Sequence, residues 1–270
     1  MSIDPWTFQQ APASPRRANV TLFVFGRELE QGPLSRSTYG VPTPESMANI
    51  EVRRHERAHD PAWFDAFRSG SMRSIATTDL GSWIAALDAA TVVHSIVLDI
   101  DGPADLSYLQ AAWGYARYLI AMGGSVVLDA HAIAYHYGDD LPPPDARFDS
   151  EREVRVVYET SAERPDAPHA LHTRGMRKFG APDLVTLCRA DDVALLSTAL
   201  RELADAMARG LDLGTPRHRL DVVPGVHWVL VPDEHGLGQL LQLNNAARVL
   251  VDSDGHDLAG IASRLRRAPS

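Results

Sequence analysis

The pattern of apolar and polar positions is clearest between residues 92 and 130. The run VVHSIVLDI at 92–100 is apolar at nearly every position, which is typical of a strand covered on both faces. Over 103–122 the apolar residues recur at steps of three and four, which predicts a helix with one buried face, and the glycine pair that follows is a common helix end. The run SVVLDA at 125–130 predicts a return strand. Together these segments predict a βαβ-like unit.

The C-terminal half repeats this order of a strand and a long helix. The run LVTL at 184–187 precedes a helix predicted from about Ala190 to Arg209, whose apolar positions have the same spacing as those of the first helix. Between the halves, GDDLPPPDARFDSERE at 138–153 is rich in proline and charge, which favours a boundary. We therefore predict an α+β fold of two related mixed sheet-and-helix halves packed together, each with a strand followed by a long amphipathic helix.

The remaining segments complete this division of the chain. Residues 1–18 lack apolar periodicity and are predicted to form a flexible N-terminal arm, followed by an N-terminal α/β half at 19–140 and a C-terminal α+β half at 150–270. Further strands are predicted at 19–26, 72–78, 154–160, 219–232 (with a turn at Pro224-Gly225), 238–243 and 247–252, and further helices at 44–59, 79–90 and from 258 onwards.

Composition excludes several classes of protein. The 270 residues are 45% hydrophobic and 23% charged, as in ordinary globular chains, and the net charge of −9 disfavours nucleic-acid or anionic membrane partners. The single cysteine, Cys188, excludes an intrachain disulfide framework and a cysteine-based zinc ribbon. No apolar run approaches the roughly 18 residues of a membrane span, and no signal-peptide pattern is visible. With arginine used in place of lysine, as in GC-rich bacterial genomes, we expect an acidic cytoplasmic bacterial protein.

The segment HERAH at 55–59 has the H-E-x-x-H spacing of zinc proteases. In that motif a helix places two histidines on one face, and the glutamate activates zinc-bound water. Here arginines precede the motif, Pro61 would end the helix at once, and no glutamate between Glu56 and Glu151 supplies a third ligand. We therefore predict an exposed helix end and no protease.

A second candidate metal site lies in DAHAIAYHYGDD at 129–140. Asp129, His131 and His136 follow or flank a strand end, where ligands bind in α/β sheets. If the segment is extended, the two histidines lie on opposite faces, which disfavours a shared ion. The alternative is an edge strand with half-exposed tyrosines.

Other short motifs predict no bound cofactor. DSDGHD at 252–257 resembles the start of a calcium loop, but Ser263 stands where an EF-hand needs an acidic residue. HGLGQL at 235–240 lacks the third glycine of a dinucleotide loop, and the chain has no P-loop and no G-x-S-x-G motif.

The segment ALHTRGMRKFGAPDLVTL at 170–187 is the first candidate for a functional site. It holds the only lysine of the chain beside two arginines. Gly175 and Gly180 permit positive φ and close backbone approach, which suits an anion where cations lie nearby. The alternative is a structural turn in which Met176 and Phe179 enter the core. The candidate ligand-binding residues are His172, Arg174, Gly175, Arg177, Lys178, Gly180 and Asp183.

This segment resembles the signature T-x-G-[LM]-[RK]-x-[FL]-G-x-P-[DE]-L of a bacterial family of cytosolic α+β domains of unknown function. GGSVVLDAHAIAYHY at 123–137 is similar to the G-G-x-[VL]-x-D segment of that family. Members of that family occur near genes for stress responses, secretion or toxins. The resemblance spans residues 92–190. It implies a fold rather than a reaction. The signature positions are Gly124, Asp129, Thr173, Gly175, Phe179, Gly180, Pro182 and Asp183.

Because no set of residues forms a persuasive catalytic site, the sequence predicts a non-catalytic binding or accessory factor of immunity, secretion or stress type. Its expected partner is a protein or a small anionic ligand, with no nucleic acid and no membrane. The alternative is a metal-dependent hydrolase with a His/Asp cluster drawn from His55, His59, Asp129, His131, His136 and His172.

Overall fold

The computed structural model describes residues 3–28, 32–160, 167–213, 218–223 and 226–267. Contacts divide the chain into two units, the first formed by Met1–Phe8 and Arg16–Phe148 and the second by Gln9–Pro15 and Asp149–Ser270. Each unit combines a β-sheet with helices, which confirms the predicted α+β fold. The division after Phe148 falls within the proline-rich, charged segment at 138–153.

The first unit contains a five-stranded antiparallel sheet in the order β2-β3-β1-β4-β5. Its strands are β1 (Arg17–Gly26), β2 (Glu51–Glu56), β3 (Val92–Asp101), β4 (Gly124–Asp129) and β5 (Ala134–Tyr137). Its helices are α1 (Arg36–Tyr39), α2 (Pro61–Ala66), α3 (Gly70–Leu80), α4 (Ile84–Asp88) and α5 (Ser107–Ala121). The strands and helix of the predicted βαβ-like unit all form. The two strands are not neighbours, however, because β1 pairs with both of them and lies between them.

Both faces of this sheet are covered. Val24 and Phe25 point to opposite faces of β1, and both are fully buried. Phe25 belongs to a cluster with Phe64 of α2 and Leu87 of α4. α5 packs against β1, β3 and β4 and contributes the buried Trp113. Coverage on both faces is the physical reason for the nearly continuous apolar run of β3.

Trp6 ties part of the predicted N-terminal arm to the first unit. Its indole N–H donates to the carbonyl of Ala146 at 2.8 Å, and its backbone N–H donates to Oε1 of Gln110 at 2.9 Å. The residue is 7% exposed. β1 begins at Arg17, so the last residues of the segment 1–18 already belong to the sheet.

The helix predicted at 44–59 is wrong. A 3-10 turn covers Glu45–Met47, and the residues that follow form β2, which pairs with β3 at the edge of the sheet. The charged side chains of β2 make ion pairs along the strand, with Arg53 bonded to Glu51. Charged residues protect an edge strand from pairing with other chains, and here they produced a pattern that is also typical of an exposed helix.

The strand predicted at 72–78 is also wrong, because these residues lie within α3. Their β-branched side chains favour a strand, but the hydroxyl of Thr77 donates to the carbonyl of Arg73 at 2.8 Å, one turn earlier in the helix. The helix predicted at 79–90 is interrupted at Gly81, which has a φ of +52° and ends α3. The chain then continues as a 3-10 turn at Gly81–Trp83 and as α4.

The second unit contains a mixed six-stranded sheet in the order β6-β7-β8-β11-β10-β9. Its strands are β6 (Arg155–Glu159), β7 (His169–Arg174), β8 (Asp183–Cys188), β9 (His218–Val223), β10 (Val226–Pro232) and β11 (Ala247–Asp252). Its helices are α6 (Ser150–Glu153), α7 (Val193–Ala208), α8 (Leu237–Leu240) and α9 (Ile261–Arg267). β8 and β11 are parallel, and the other pairs are antiparallel. The strand order differs from that of the first unit, so the shared feature is one strand followed by one long helix.

The long helix of this unit forms as predicted. α7 buries Leu196, Leu200, Leu203 and Met207. The strand predicted at 238–243 is wrong, because the carboxylate of Asp233 accepts the backbone N–H groups of Leu237 and Gly238 and thereby caps α8. The predicted turn at Pro224-Gly225 lies outside the described residues. Neither α7 nor another helix in the described stretches is long and apolar enough to cross a membrane.

Candidate functional site

The segment at 170–187 forms the corner between two strands of the second unit. β7 ends at Arg174, a 3-10 turn covers Met176–Phe179, and β8 begins at Asp183. β8 pairs with β7 and β11, so the predicted strand at 184–187 separates this turn from the long helix α7. The seven predicted ligand-binding residues therefore lie together in one strand-turn-strand segment.

Gly175 is required where the chain leaves β7. Its φ is +114°, and a Cβ atom at this position would lie 2.3 Å from the carbonyl oxygen of Glu153, at the end of α6. Gly180 closes the turn with a φ of +61°, and its N–H donates to the carbonyl of Arg177 at 3.1 Å. The two glycines thus allow the corner to turn sharply and to approach α6 closely.

Lys178 lies inside the protein, where it forms an ion pair with Glu153. The side chains of Lys178 and Glu153 are 0% and 2% exposed. A buried ammonium group is stable only beside a compensating charge, and Glu153 supplies that charge. Gly175 and Lys178 therefore both contact Glu153. Gly175 lies against its backbone carbonyl, and Lys178 pairs with its carboxylate.

The two arginines of the corner bind the chain that follows α8. Arg174 donates to the carbonyl of Leu241 at 3.0 Å, and Arg177 donates to the carbonyl of Asn244 at 2.6 Å. Backbone carbonyl oxygens are good acceptors for the several N–H donors of a guanidinium group. These bonds fasten the connection between α8 and β11 to the corner.

Asp183 joins the two ends of the corner from within. It is 1% exposed, and its carboxylate accepts from the hydroxyl of Thr173 at 3.0 Å, the N–H of Met176 at 3.3 Å and the side-chain amide of Asn245 at 3.0 Å. Burial raises the pKa of Asp183, although these three hydrogen bonds act in the opposite direction. The hydroxyl of Thr173 also accepts the N–H of Leu184 at 2.8 Å, so Asp183 and Thr173 hold β7 and β8 in register.

His172 is fully buried, and its Nε2 lies 3.0 Å from a carboxylate oxygen of Glu159 on the neighbouring strand β6. With this contact, each charged or imidazole side chain among the seven candidates has a partner within the protein. This arrangement favours the structural interpretation of the segment. Ligand binding at these residues stays a prediction, and it would require a ligand to compete with the internal contacts.

The predicted metal ligands of the first unit do not converge. Asp129 accepts the N–H groups of His131 and Ala132 at 2.9 and 3.1 Å, which shapes the turn after β4. Nε2 of His131 lies 2.7 Å from Oδ1 of Asn19, and the ring of His136 packs edge-on against Trp113 at 5.5 Å. β5 is an edge strand, as the alternative expected, but only one of its tyrosines is half-exposed: Tyr137 is half-buried, whereas Tyr135 is buried.

The HERAH segment lacks the helix that a zinc protease needs. His55 lies on β2, with Nε2 3.1 Å from the hydroxyl of Ser95, and its ring contacts Trp63. His59 follows in the turn before α2. On a strand and a turn, the i and i+4 histidines lose the common face that the zinc motif uses.

Among the described residues, one group of three side chains has ligand atoms close enough to share a metal ion: Asp252, Asp254 and His256, within 4.8 Å of one another. This is the DSDGHD segment. Burial opposes the ionisation of Asp252, but the N–H groups of His256 and Asp254 hold its pKa below the usual value. These bonds close the turn after β11, which accounts for the arrangement without an ion.

Trp83 forms an exposed aromatic surface that the sequence did not reveal. The residue is 48% exposed, and its ring stacks on Tyr137 with centroids 3.8 Å apart and planes 9° from parallel. Trp83 ends the turn before α4, whereas Tyr137 ends the edge strand β5. The sequence placed Trp83 in a predicted helix at 79–90. Tyr137, which supports its ring, lies 54 residues later in the chain, and no local pattern indicates that contact.

Each unit contains a cavity. One of about 650 Å³ lies in the first unit beside Arg54 and Arg57, whose guanidinium groups are bonded to Glu56 and Asp65. The other, of about 420 Å³, lies in the second unit over β10 and β11.

Comparisons with known proteins identify no relative. No protein-family model matches the chain, and neither a curated protein nor a solved structure matches it.

Proposed function

We propose that this protein is a non-catalytic binding protein whose first unit docks onto a basic segment of a partner protein through Trp83 and Tyr137. The observation that carries the proposal is the exposed, flat stack of these two rings. We call this pair the aromatic platform.

The aromatic platform has the properties of a binding surface. Single exposed apolar residues are common, but the ring of Trp83 is held in place by its stack on Tyr137. A side chain that is already ordered loses little conformational entropy when a partner binds. Tryptophan and tyrosine are also the residues that contribute most often to the energetic centre of a protein interface.

Charge favours a basic partner. Asp139 and Asp140 follow Tyr137 after Gly138. They are exposed, and their side chains make no hydrogen bond or ion pair with any described residue. The whole chain has a net charge of −9. Arginine and lysine side chains bind both to carboxylates and to the faces of aromatic rings, so a basic segment satisfies both parts of the surface.

The contacts within the predicted sites also support a non-catalytic role. Lys178, Asp129 and His131 are engaged by neighbouring groups of the chain. The alternative, a metal-dependent hydrolase with Asp129, His131 and His136, would need these ligands to leave those contacts and converge. Metal analysis of protein purified without an affinity tag tests this alternative directly.

The proposal is tested by capture from an extract of the source cells with wild-type protein, Trp83→Ala and Leu240→Ala. Leu240 is 77% exposed in the second unit, and it is therefore a matched control for the loss of a large exposed apolar side chain. We expect one stoichiometric partner on wild type and Leu240→Ala, and its loss from Trp83→Ala. The partner is then purified and its dissociation constant measured.

Trp83→Ala should weaken the purified complex at least tenfold, and added salt should weaken the wild-type complex because opposite charges attract across it. A partner that binds Trp83→Ala as tightly as wild type contradicts the role of the platform. The absence of any stoichiometric partner, or a partner whose binding is insensitive to salt, contradicts the proposal as stated.

A further inference from the structure

The cavity of about 420 Å³ in the second unit lies on the outer face of the sheet. Val231 of β10 and Val249 of β11 are cross-strand partners and line it, together with Val251 on the same face. Leu230 and Leu250, which point to the opposite face, are 0% exposed and belong to the core. The cavity therefore has an apolar floor on two paired strands, which is a rigid base for a ligand.

Two polar side chains line the same cavity and have no partner among the residues that the structure describes. Glu234 and His235 lie between β10 and α8, are exposed, and form no hydrogen bond or ion pair through their side chains with any described residue. Their neighbour Asp233 is different, because its carboxylate caps α8. The cap orders the connection and leaves the carboxylate of Glu234 available at the cavity.

Carboxylates lie at the cavity and in the turn beside it. Gly255 lines the cavity, and it belongs to the turn that carries the carboxylates of Asp252 and Asp254. Glu234 adds a third carboxylate at the cavity itself. Cations are attracted to such a surface, whereas anions are repelled from it.

We propose that this cavity binds a small primary amine whose apolar body rests on the valine floor and whose ammonium group binds the carboxylate of Glu234. The volume lies within the range of about 300–1,000 Å³ that is typical of small-molecule sites. Apolar walls with one charged group are also the usual composition of such sites, in which the apolar surface supplies affinity and the charge supplies selectivity. This site lies in the second unit and is independent of the aromatic platform.

The test compares three probes that share one ring and differ in charge: cyclohexylmethylamine, cyclohexylmethanol and cyclohexanecarboxylate. Binding is measured on the full chain at pH 7.5 by calorimetry and by protein-observed NMR. We expect the amine to bind at least tenfold more tightly than the alcohol, and the carboxylate to bind more weakly than both. Tenfold corresponds to about 1.4 kcal/mol of binding free energy.

Glu234→Gln removes the charge and should abolish the preference for the amine while leaving binding of the alcohol unchanged. Glu202→Gln is the matched control, because Glu202 is exposed on α7 and does not line the cavity. Val249→Phe fills the floor and should weaken both probes. Glu234 is a surface residue, so Glu234→Gln keeps the test informative if Val249→Phe does not fold.

Three results of the affinity measurements would overturn the proposal. They are the absence of amine binding at millimolar concentration, equal binding of amine and alcohol to the wild-type protein, and an unchanged amine preference in Glu234→Gln. NMR shifts confined to residues outside the second unit would place any binding elsewhere and would overturn it as well.

Discussion

Replacing Lys178 by methionine tests how the corner at 170–187 is stabilised. The ammonium group and the carboxylate of Glu153 are both buried, with side chains 0% and 2% exposed. Methionine keeps most of the volume of lysine and removes its charge. The substitution therefore removes the positive charge that Lys178 supplies to a buried carboxylate, which is the costly part of the change.

Breaking a buried ion pair by removing one partner costs about 3–5 kcal/mol. With an m-value of about 2 kcal/mol/M in urea, this loss lowers the unfolding midpoint of the second unit by about 1.5–2.5 M. The double variant Lys178→Met with Glu153→Leu removes both charges, and we expect it to recover most of the loss. Replacement of a whole buried pair by apolar residues of similar volume is often neutral.

Cys188 supplies an assay that reports on the second unit alone. It is the only cysteine of the chain, it lies on β8, and it is 0% exposed. The urea dependence of its reaction with a thiol reagent therefore follows opening of this unit. Arg219→Ala is the control, because the ion pair of Arg219 with Asp221 is exposed and should contribute less than about 1 kcal/mol.

A loss below about 1 kcal/mol in Lys178→Met would refute the argument, since that is the range of a surface ion pair. A double variant that is as unstable as the sum of the two single variants would refute it too, because the two charges would then not be coupled. An independent check is amine acylation. Lys178 should stay unmodified in native protein and react when the second unit unfolds.

Two other predictions concern the second unit. Gly175→Ala should destabilise it by more than about 1–3 kcal/mol, the usual cost of a strained backbone, because a Cβ would also clash with the carbonyl of Glu153 at 2.3 Å. Gly260→Ala is the control that measures backbone strain alone, because Gly260 has a φ of +82° and no atom within 4 Å of the added Cβ. Stability is measured for both variants by the thiol reactivity of Cys188. An equal loss of stability in the two variants would contradict the clash. Burial raises the pKa of Cys188 to about 11, so the folded state keeps a proton that the unfolded chain releases at its ordinary value of 9.0. We therefore expect wild type to be more stable than Cys188→Ala by a full margin below pH 9, and by a shrinking margin as the pH rises towards 11. The free energies of unfolding are measured in urea by circular dichroism. A margin that does not change with pH would contradict this prediction.

Much of the regular structure was predictable because its signal is local. α5 and α7 follow directly from apolar residues at steps of three and four, and β3 from its continuous apolar run. The errors occur where two patterns coincide. β2 carries arginines and glutamates that suit an exposed helix as well as an edge strand, and α3 contains β-branched residues whose hydroxyls bond within the helix.

The candidate site was only partly predictable. The glycines of the corner indicated a positive φ at Gly175 and Gly180, and both are found. Their purpose depends on Glu153, which lies 25 residues before Lys178 in the chain. No local pattern identifies that partner, and the cations therefore resembled an anion-binding site.

By itself, the sequence determined the acidic charge, the single lysine and cysteine, and the helices and strands whose side chains repeat with a regular period. These properties depend on composition or on residues a few positions apart. The tertiary structure decided that β1 lies between β3 and β4, that Lys178 is buried against Glu153, that Tyr137 supports Trp83, and that the valines of β10 and β11 form an open floor. Strand pairing and burial join residues that are distant in the chain, and their free energy depends on the whole fold rather than on local propensity.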